Sequence, residues 1–215
     1  KNAAMRALGA ELIEQGEDFQ AAREHAVRLA GERGAHMVPS FHADLVRGVA
    51  SYWVEFFASF ATGEAPEVVF VPIGLGSGIC ACAAARAHAG VRTRIVGVVS
   101  AHAPAYRLSF EAGRAIEAPV STQLADGMAC RVPEPQALAI IQREVDEIVS
   151  VSDDEVAAAM RAFFADTHNV AEGAGAAALA ALLQQRERWA GRRVGLSLSG
   201  GNVDSAQFAR VLAAG

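Results

Sequence analysis

Residues 67–78 read EVVFVPIGLGSG, an apolar run that passes directly into a glycine-rich turn. The run Glu67–Ile73 predicts a strand buried on both faces, because strands covered by helices on both sides are apolar without alternation. A helix is predicted directly after Gly78, in the alanine-rich stretch that reaches His88. Glycines let the backbone approach an anion, and the first N–H groups of a helix have no partner within it. The stretch therefore predicts an anion-binding turn between a strand and a helix, where Ser77 adds a hydroxyl donor.

The spacing of the glycines limits the kind of anion. The dinucleotide fingerprint requires glycine at its first, third and sixth places, and here the sixth place is Ile79. The lysine-containing signature of a nucleotide P-loop is also missing from this turn. A small monophosphate needs only the turn and the helix end, and therefore fits better. A tight strand-to-helix turn without any ligand stays open as the alternative.

Helices and strands alternate along the rest of the chain. Helices are predicted over Lys1–Leu8, Asp18–Arg33, Asp44–Ala61, Pro135–Glu144, Asp153–Thr167 and Gly175–Arg188, and further strands over Ala10–Glu14, Ala35–Val38, Arg94–Val99 and Val194–Leu198. Right-handed crossovers make such strands parallel. The prediction is an α/β fold with a mainly parallel twisted sheet flanked by helices, in a large domain of residues 44–215. Residues 1–43 are expected to form part of a smaller α/β domain.

Composition excludes several classes of protein. The chain has 215 residues, 52% of them hydrophobic and 20% charged, which suits a globular protein with a sizeable core. Its formal net charge of -5 argues against a nucleic-acid-binding surface, and no apolar run approaches the roughly 18 residues needed to span a bilayer. The amphipathic start, Lys1 to Gly9, is unlike a signal peptide. The three cysteines have neither disulfide nor zinc spacing, so we expect buried thiols in a reducing cytoplasm.

Two further glycine-flanked stretches are candidate site segments. Ser199-Gly200-Gly201-Asn202 follows the last predicted strand, and ligands collect at the carboxyl ends of parallel strands. Glu172 lies among small residues at the predicted start of a helix. Both have ordinary explanations, since the Ser199 segment could be a turn and Glu172 could favour the helix dipole.

None of the six histidines has a partner at metal-ligand spacing, so no metal site is predicted. The aromatic stripe Tyr52, Trp53, Phe56 and Phe57 is predicted to be core.

Taken together and in order, five stretches resemble a known enzyme family. They are KNAAMRALGAELIEQG at 1–16, VPIGLGSGI at 71–79, LADGMACRVP at 124–133, AEGAGAAALAAL at 171–182 and LSGGNVD at 198–204. The chain resembles the threonine/serine dehydratases, which are pyridoxal-phosphate enzymes of fold type II, similar to the tryptophan synthase β subunit. The resemblance extends over essentially the whole chain.

The resemblance implies a role for each candidate residue. Gly74, Leu75, Gly76, Ser77 and Gly78 would bind the phosphate of pyridoxal 5'-phosphate. Ser199 would hydrogen-bond its pyridine nitrogen, and Glu172 would lie near the cofactor. A neutral hydroxyl does not hold the ring nitrogen protonated as a carboxylate would, which suits elimination better than transamination.

The reaction implied by the resemblance is loss of the α-proton and the β-hydroxyl from a small amino acid, L-threonine or L-serine, giving a 2-oxo acid and ammonia. A homodimer is implied as well. Serine racemase activity, hydroxyaspartate dehydratase activity, and a non-catalytic fragment or binding module that keeps the phosphate site are the alternatives.

Several family features are missing from this sequence. The Schiff-base lysine of the family lies in an S-F-K-x-R-G-A segment, followed by an S-x-G-N-H segment that binds the substrate carboxylate, and neither occurs here. Lys1 is the only lysine and has a different context, so the catalytic residue is unknown and we expect a longer parent protein.

Other positions differ from the family pattern. Leu75 replaces a glycine of the phosphate turn. Ser100 stands where some relatives have a metal-binding acid. GVAS at 48–51 replaces the commoner GQGT, so the specificity need not match the family's. The chain ends within one helix of Ser199, which leads us to expect no appended regulatory domain.

Overall fold

A computed structural model describes residues 1–214, and a four-stranded parallel sheet lies at its centre. The strands are β1 (Val68–Pro72), β2 (Arg94–Ser100), β3 (Glu147–Val151) and β4 (Val194–Leu196). Their order across the sheet is β3-β2-β1-β4, and every neighbouring pair is parallel. Along β1, Val68 pairs with Arg94 of β2 on one side and with Val194 of β4 on the other. The predicted α/β class with a parallel sheet is therefore confirmed.

Nine α-helices and one short 3-10 helix occur in the described residues. The α-helices are α1 (Asn2–Ala7), α2 (Phe19–Arg33), α3 (Ala43–Ala58), α4 (Ser77–Ala89), α5 (Ala105–Ala112), α6 (Pro135–Glu144), α7 (Asp153–Thr167), α8 (Gly173–Gln184) and α9 (Ser205–Ala213). The 3-10 helix spans Asp126–Met128. Among residues 1–214, no helix is both long and apolar enough to cross a membrane.

The sheet separates two apolar layers, and the two-residue repeat of a strand assigns alternate side chains to each. In β1, Val69 and Val71 pack in the layer that contains α3 and α4, whereas Val68 and Phe70 pack in the layer of α7 and α8. All four side chains are at most 1% exposed. The continuous apolar run of the sequence is thus explained by helices on both faces of the sheet.

The helix boundaries follow local chemistry closely. The predicted ranges Pro135–Glu144 and Asp153–Thr167 match α6 and α7. Pro135 occupies the first turn of α6, where its missing N–H costs nothing. Ser152 and Glu155 form a reciprocal capping box at the start of α7. Asp18 caps α2 by accepting a hydrogen bond from the Ala21 N–H.

Two predicted strands are wrong. Ala10–Glu14 and Ala35–Val38 form no ladder within residues 1–214. A strand pattern produces a strand only when a neighbouring strand takes its hydrogen bonds. Both segments lie within the first 43 residues, where α1 and α2 contain no buried residue. In contrast, β3 and α5 were not predicted and are present in the central fold.

Candidate functional site

A cavity of about 620 Å³ opens at the carboxyl ends of β1 and β4. One side, called the strand wall here, consists of Gly74–Gly78 after β1 and Ser197–Ser199 after β4. A second part of the lining, called the loop wall, consists of Asp126–Cys130. Further lining comes from Phe19, Ser40, Val49, Tyr52, Val71, Pro72 and Ala174. The two sequence motifs predicted at strand ends therefore meet in one cavity, because β1 and β4 are parallel neighbours.

The glycine turn has a backbone that larger residues would not allow. Gly76 has φ +100°, and a Cβ atom there would lie 2.7 Å from the Cβ of Ala137. A Cβ atom at Gly74 would collide with the carbonyl oxygen of Gly127 in the loop wall. Gly76 is also the N-cap of α4, so the turn leads directly into the helix.

Within residues 1–214, no backbone carbonyl accepts a hydrogen bond from the N–H groups of residues 74–78. These donors lie beside a cavity at the positive end of a helix dipole, which suits a phosphate. The structure thus leaves these backbone donors free beside the cavity, and binding of an anion by this turn stays a prediction.

The β4 side of the strand wall carries hydroxyl groups. Ser199 lines the cavity directly after Leu198. Ser197 is 8% exposed, and its buried Oγ lies near Tyr52 but makes no hydrogen bond of normal geometry within the described chain. Tyr52 of α3 lines the cavity near Ser197, and burial raises the pKa of its phenol to about 12. The phenol therefore stays protonated at neutral pH.

The aromatic stripe of α3 is divided between core and cavity. Trp53 and Phe57 are buried, at 1% and 4% exposure, as predicted for core residues. Tyr52 is 41% exposed and lines the cavity instead. Helical periodicity marks an apolar face and does not distinguish a core from the wall of a cavity.

Glu172 lies behind the strand wall rather than in the cavity lining. It is the N-cap of α8, and its backbone N–H donates to the carbonyl of Gly200. A Cβ atom on Gly200 would lie 2.5 Å from Oε1 of Glu172, so the carboxylate packs over the glycine that follows Ser199. The Nζ of Lys1 lies 3.6 Å from Oε2 of Glu172 and 2.7 Å from Oδ2 of Asp126. The hydrogen bond to Asp126 is the main reason that the pKa of Lys1 is raised.

Ion pairs with the first 33 residues hold the loop wall and its continuation. Lys1 pairs with Asp126, and Asp18 pairs with Arg131 at 2.6 Å between Oδ2 and Nε. The residues after the wall include Glu134, whose carboxylate lies 3.8 Å from Arg23. Sequence reasoning missed all of these contacts, because nothing in the spacing of residues so distant in sequence indicates that they meet.

The cysteines are free and buried, as predicted. Cys130 lies in the loop wall, and burial raises the pKa of its thiol to about 11. A thiol of that pKa is protonated at neutral pH and is a poor nucleophile.

In the described residues, no group of three or more His, Cys, Asp or Glu side chains could hold a metal ion. At the end of β2, the Oγ of Ser100 accepts a hydrogen bond from the His102 N–H.

Pyridoxal phosphate fits the residues that line this cavity. Its phosphate requires backbone donors, which Gly74–Gly78 provide, and its ring nitrogen requires a polar partner such as the hydroxyl of Ser199. The Oγ of Ser197 is a further polar atom on the same wall. The covalent attachment does not fit, because Lys1 pairs with Asp126 and is not among the lining residues.

Comparisons with known proteins agree with this geometry. The family model described as pyridoxal-phosphate dependent enzyme matches residues 1–200. The chain is 38% identical over 204 residues to an L-threonine ammonia-lyase of Geobacter sulfurreducens, covering 94% of this chain and 50% of that protein. It is 31% identical over 208 residues to an L-threonine ammonia-lyase of Thermotoga maritima, covering 96% of this chain and 51% of that protein.

A solved structure shares both fold and sequence. The crystal structure of the T.th. threonine deaminase superposes with a TM-score of 0.85 at 32% identity, covering 95% of this chain and 67% of that one. The chain spans about half the length of the two curated relatives above.

Proposed function

Because this chain belongs to the pyridoxal-phosphate-dependent enzymes, in the threonine/serine dehydratase family of fold type II, we propose that the whole protein is an ammonia-lyase. Its substrate would be a small hydroxy amino acid, L-threonine or L-serine, and its products a 2-oxo acid and ammonia. The observation that carries the proposal is the meeting of Gly74–Gly78 and Ser199 on one wall of one cavity.

The strand wall would bind and orient the cofactor. When bound, pyridoxal phosphate supplies an electron sink for negative charge at the substrate α-carbon. The N–H groups of residues 74–78 would fix the phosphate, and the hydroxyl of Ser199 would bind the ring nitrogen without carrying a charge. A neutral partner keeps the electron sink mild, which favours loss of the β-hydroxyl over transamination.

Glu172 would act through its contact with Gly200. Its carboxylate packs over this glycine and lies near Lys1, so it would hold the Ser199-Gly200 backbone in place. We assign it no proton transfer, because it is not among the residues that line the cavity.

A direct assay tests the proposed activity. The full-length protein, supplied with pyridoxal phosphate, should release 2-oxobutyrate from L-threonine or pyruvate from L-serine. Residues 1–215 alone should release neither, because they lack a lysine in the cavity. Conversion of L-serine to D-serine without release of a 2-oxo acid would indicate a racemase instead. A full-length protein that keeps no absorption band of bound cofactor, after incubation with pyridoxal phosphate and removal of the unbound cofactor, would refute the proposal.

The organisation of the whole protein is proposed on the same basis. We propose that residues 1–43 belong to a smaller domain and residues 44–215 to the large cofactor-binding domain. The lack of buried residues in α1 and α2 supports this division.

A homodimer is proposed from the family resemblance, and a cytoplasmic location from the three unpaired cysteines. Light scattering of the full-length protein measures the oligomeric state.

A further inference from the structure

Tyr106 of α5 connects the glycine turn of the strand wall to Glu134, the residue at the start of α6. Its side chain is 1% exposed, and it is not among the residues that line the cavity. The hydroxyl donates a hydrogen bond to the carbonyl oxygen of Leu75, with 2.7 Å between the oxygens. The same oxygen accepts a hydrogen bond from the N–H of Glu134 at 3.0 Å. The hydroxyl is therefore satisfied both as a donor, to Leu75, and as an acceptor, from Glu134.

The bond to Leu75 controls the orientation of a donor in the glycine turn. In a planar trans peptide, the carbonyl of one residue and the N–H of the next point in opposite directions. Holding the Leu75 carbonyl toward Tyr106 therefore turns the N–H of Gly76 away from Tyr106. A Cβ atom on Gly76 would face Ala137 and the Tyr106 hydroxyl, so α5 and α6 lie behind this residue and the cavity lies on its open side.

The second hydrogen bond, from the N–H of Glu134, joins Tyr106 to the start of α6. Glu134 is the N-cap of α6 and follows the loop wall by only a few residues. Without Tyr106, the glycine turn and the start of α6 would have no common hydrogen-bonding partner among residues 1–214. Burial raises the pKa of the Tyr106 phenol far above neutrality, so the group remains a donor at any working pH.

We propose that Tyr106 is a positioning residue for phosphate binding: it holds the Leu75–Gly76 peptide so that the turn is preorganised for the phosphate group. This inference rests on the proposed function, because it takes pyridoxal phosphate as the ligand of the turn. Preorganised donors bind an anion more tightly because they need no reordering on binding. Loss of the hydroxyl therefore weakens the interaction with the phosphate and leaves the interactions with the ring unchanged.

The experiment compares pyridoxal phosphate with pyridoxal, which lacks the phosphate, and each variant is judged by how far the ratio of the two affinities departs from the wild-type ratio. Pyridoxal phosphate and pyridoxal are titrated into cofactor-free, full-length protein, and binding is followed by tryptophan fluorescence. In Tyr106→Phe, the affinity for pyridoxal phosphate should fall about tenfold, while that for pyridoxal changes less than about twofold. Inorganic phosphate, used as a competitor, should also bind about tenfold more weakly. Phenylalanine keeps the ring and its packing, so the variant tests the hydroxyl alone.

Ser109→Ala is the matched control. Ser109 is a fully buried residue of the same helix, and its hydroxyl donates to the carbonyl of Ala105 and accepts from the N–H of Ile116. Its loss destabilises α5 without touching the glycine turn, so the affinity ratio of the two ligands should stay at the wild-type value. Equal weakening of both ligands in Tyr106→Phe, or an equal change of the ratio in Ser109→Ala, would overturn the inference.

The same data separate this inference from the proposed function. If the wild-type protein binds pyridoxal phosphate no more tightly than pyridoxal, the turn is not a phosphate site, and both ideas fail. If the wild-type protein prefers pyridoxal phosphate and Tyr106→Phe keeps that preference, only the role of Tyr106 is wrong.

Discussion

The two walls of the cavity are built by different physical means. The strand wall follows directly from buried parallel strands, and two of its glycines, Gly74 and Gly76, fit against neighbouring atoms with no room for a side chain. The loop wall contains only one turn of 3-10 helix, and partly exposed ion pairs connect it and its continuation to the first 33 residues. Close packing is insensitive to salt and pH, whereas partly exposed ion pairs depend on both. The first wall is therefore suited to a permanent cofactor site, and the second is the side that solution conditions can change.

The largest expected effect comes from filling the strand wall. Gly76→Ala introduces a Cβ atom at φ +100° and 2.7 Å from the Cβ of Ala137. Strain and overpacking together should lower the free energy of unfolding by about 2–4 kcal/mol. Urea unfolding of the full-length protein measures this. Gly78→Ala is the control, because nothing lies within 4 Å of a Cβ atom there and its φ is not positive. If both variants unfold at the same urea concentration, the strand wall is not closely packed.

A smaller effect is expected at the hydroxyl group of the same wall. Ser199→Ala should weaken cofactor binding by about 0.5–1.5 kcal/mol, which is the net value of a typical hydrogen bond. Ser199→Asp should favour a protonated pyridine nitrogen and shift the products from elimination toward transamination. The ratio of these two products in the full-length protein is the measurement. A change in stability with an unchanged product ratio would mean that Ser199 only shapes a turn.

The smallest effect is expected on the side of the loop wall. Asp18 caps α2 and pairs with Arg131, and its pKa is lowered first by the hydrogen bond from the Ala21 N–H and then by Arg131. A lowered carboxyl pKa stabilises the fold above the ordinary value of 3.8, and this contribution disappears as pH falls through the lowered value. Asp18→Asn keeps a capping side chain but loses the charge, so it should be less stable than wild type at pH 7 and nearly equal to it in strong acid.

Asp18→Ala is the companion variant for this pair. It loses the cap as well and should cost about 1 kcal/mol at pH 7. Urea unfolding at several pH values compares the three proteins. If Asp18→Asn stays below wild type by the same amount at every pH, the ion pair does not contribute.

The sequence predicted the strand wall much better than the loop wall. The glycine turn and the Ser199 segment each follow a buried strand, and strand patterns with glycine boundaries are local signals. The position of β4 beside β1 was not predicted, because a parallel sheet allows several orders of its strands. Lys1, Arg131 and Tyr106 take part through contacts between distant parts of the chain, which no local pattern encodes. The two wrong strands, Ala10–Glu14 and Ala35–Val38, show the same limit, because an extended pattern cannot specify its partner.

The pairing of β1 with β4 also sets the order in which the site can be assembled on the ribosome. β1, the glycine turn and α4 are synthesised long before Val194, which pairs with Val68. Until β4 arrives, one edge of β1 has open hydrogen-bonding groups, and an apolar strand with an open edge is prone to aggregation. A nascent chain therefore exposes its most apolar strand while its future cofactor site is only half complete. Ribosome pausing or premature termination shortly before residue 194 would leave this edge of β1 unpaired.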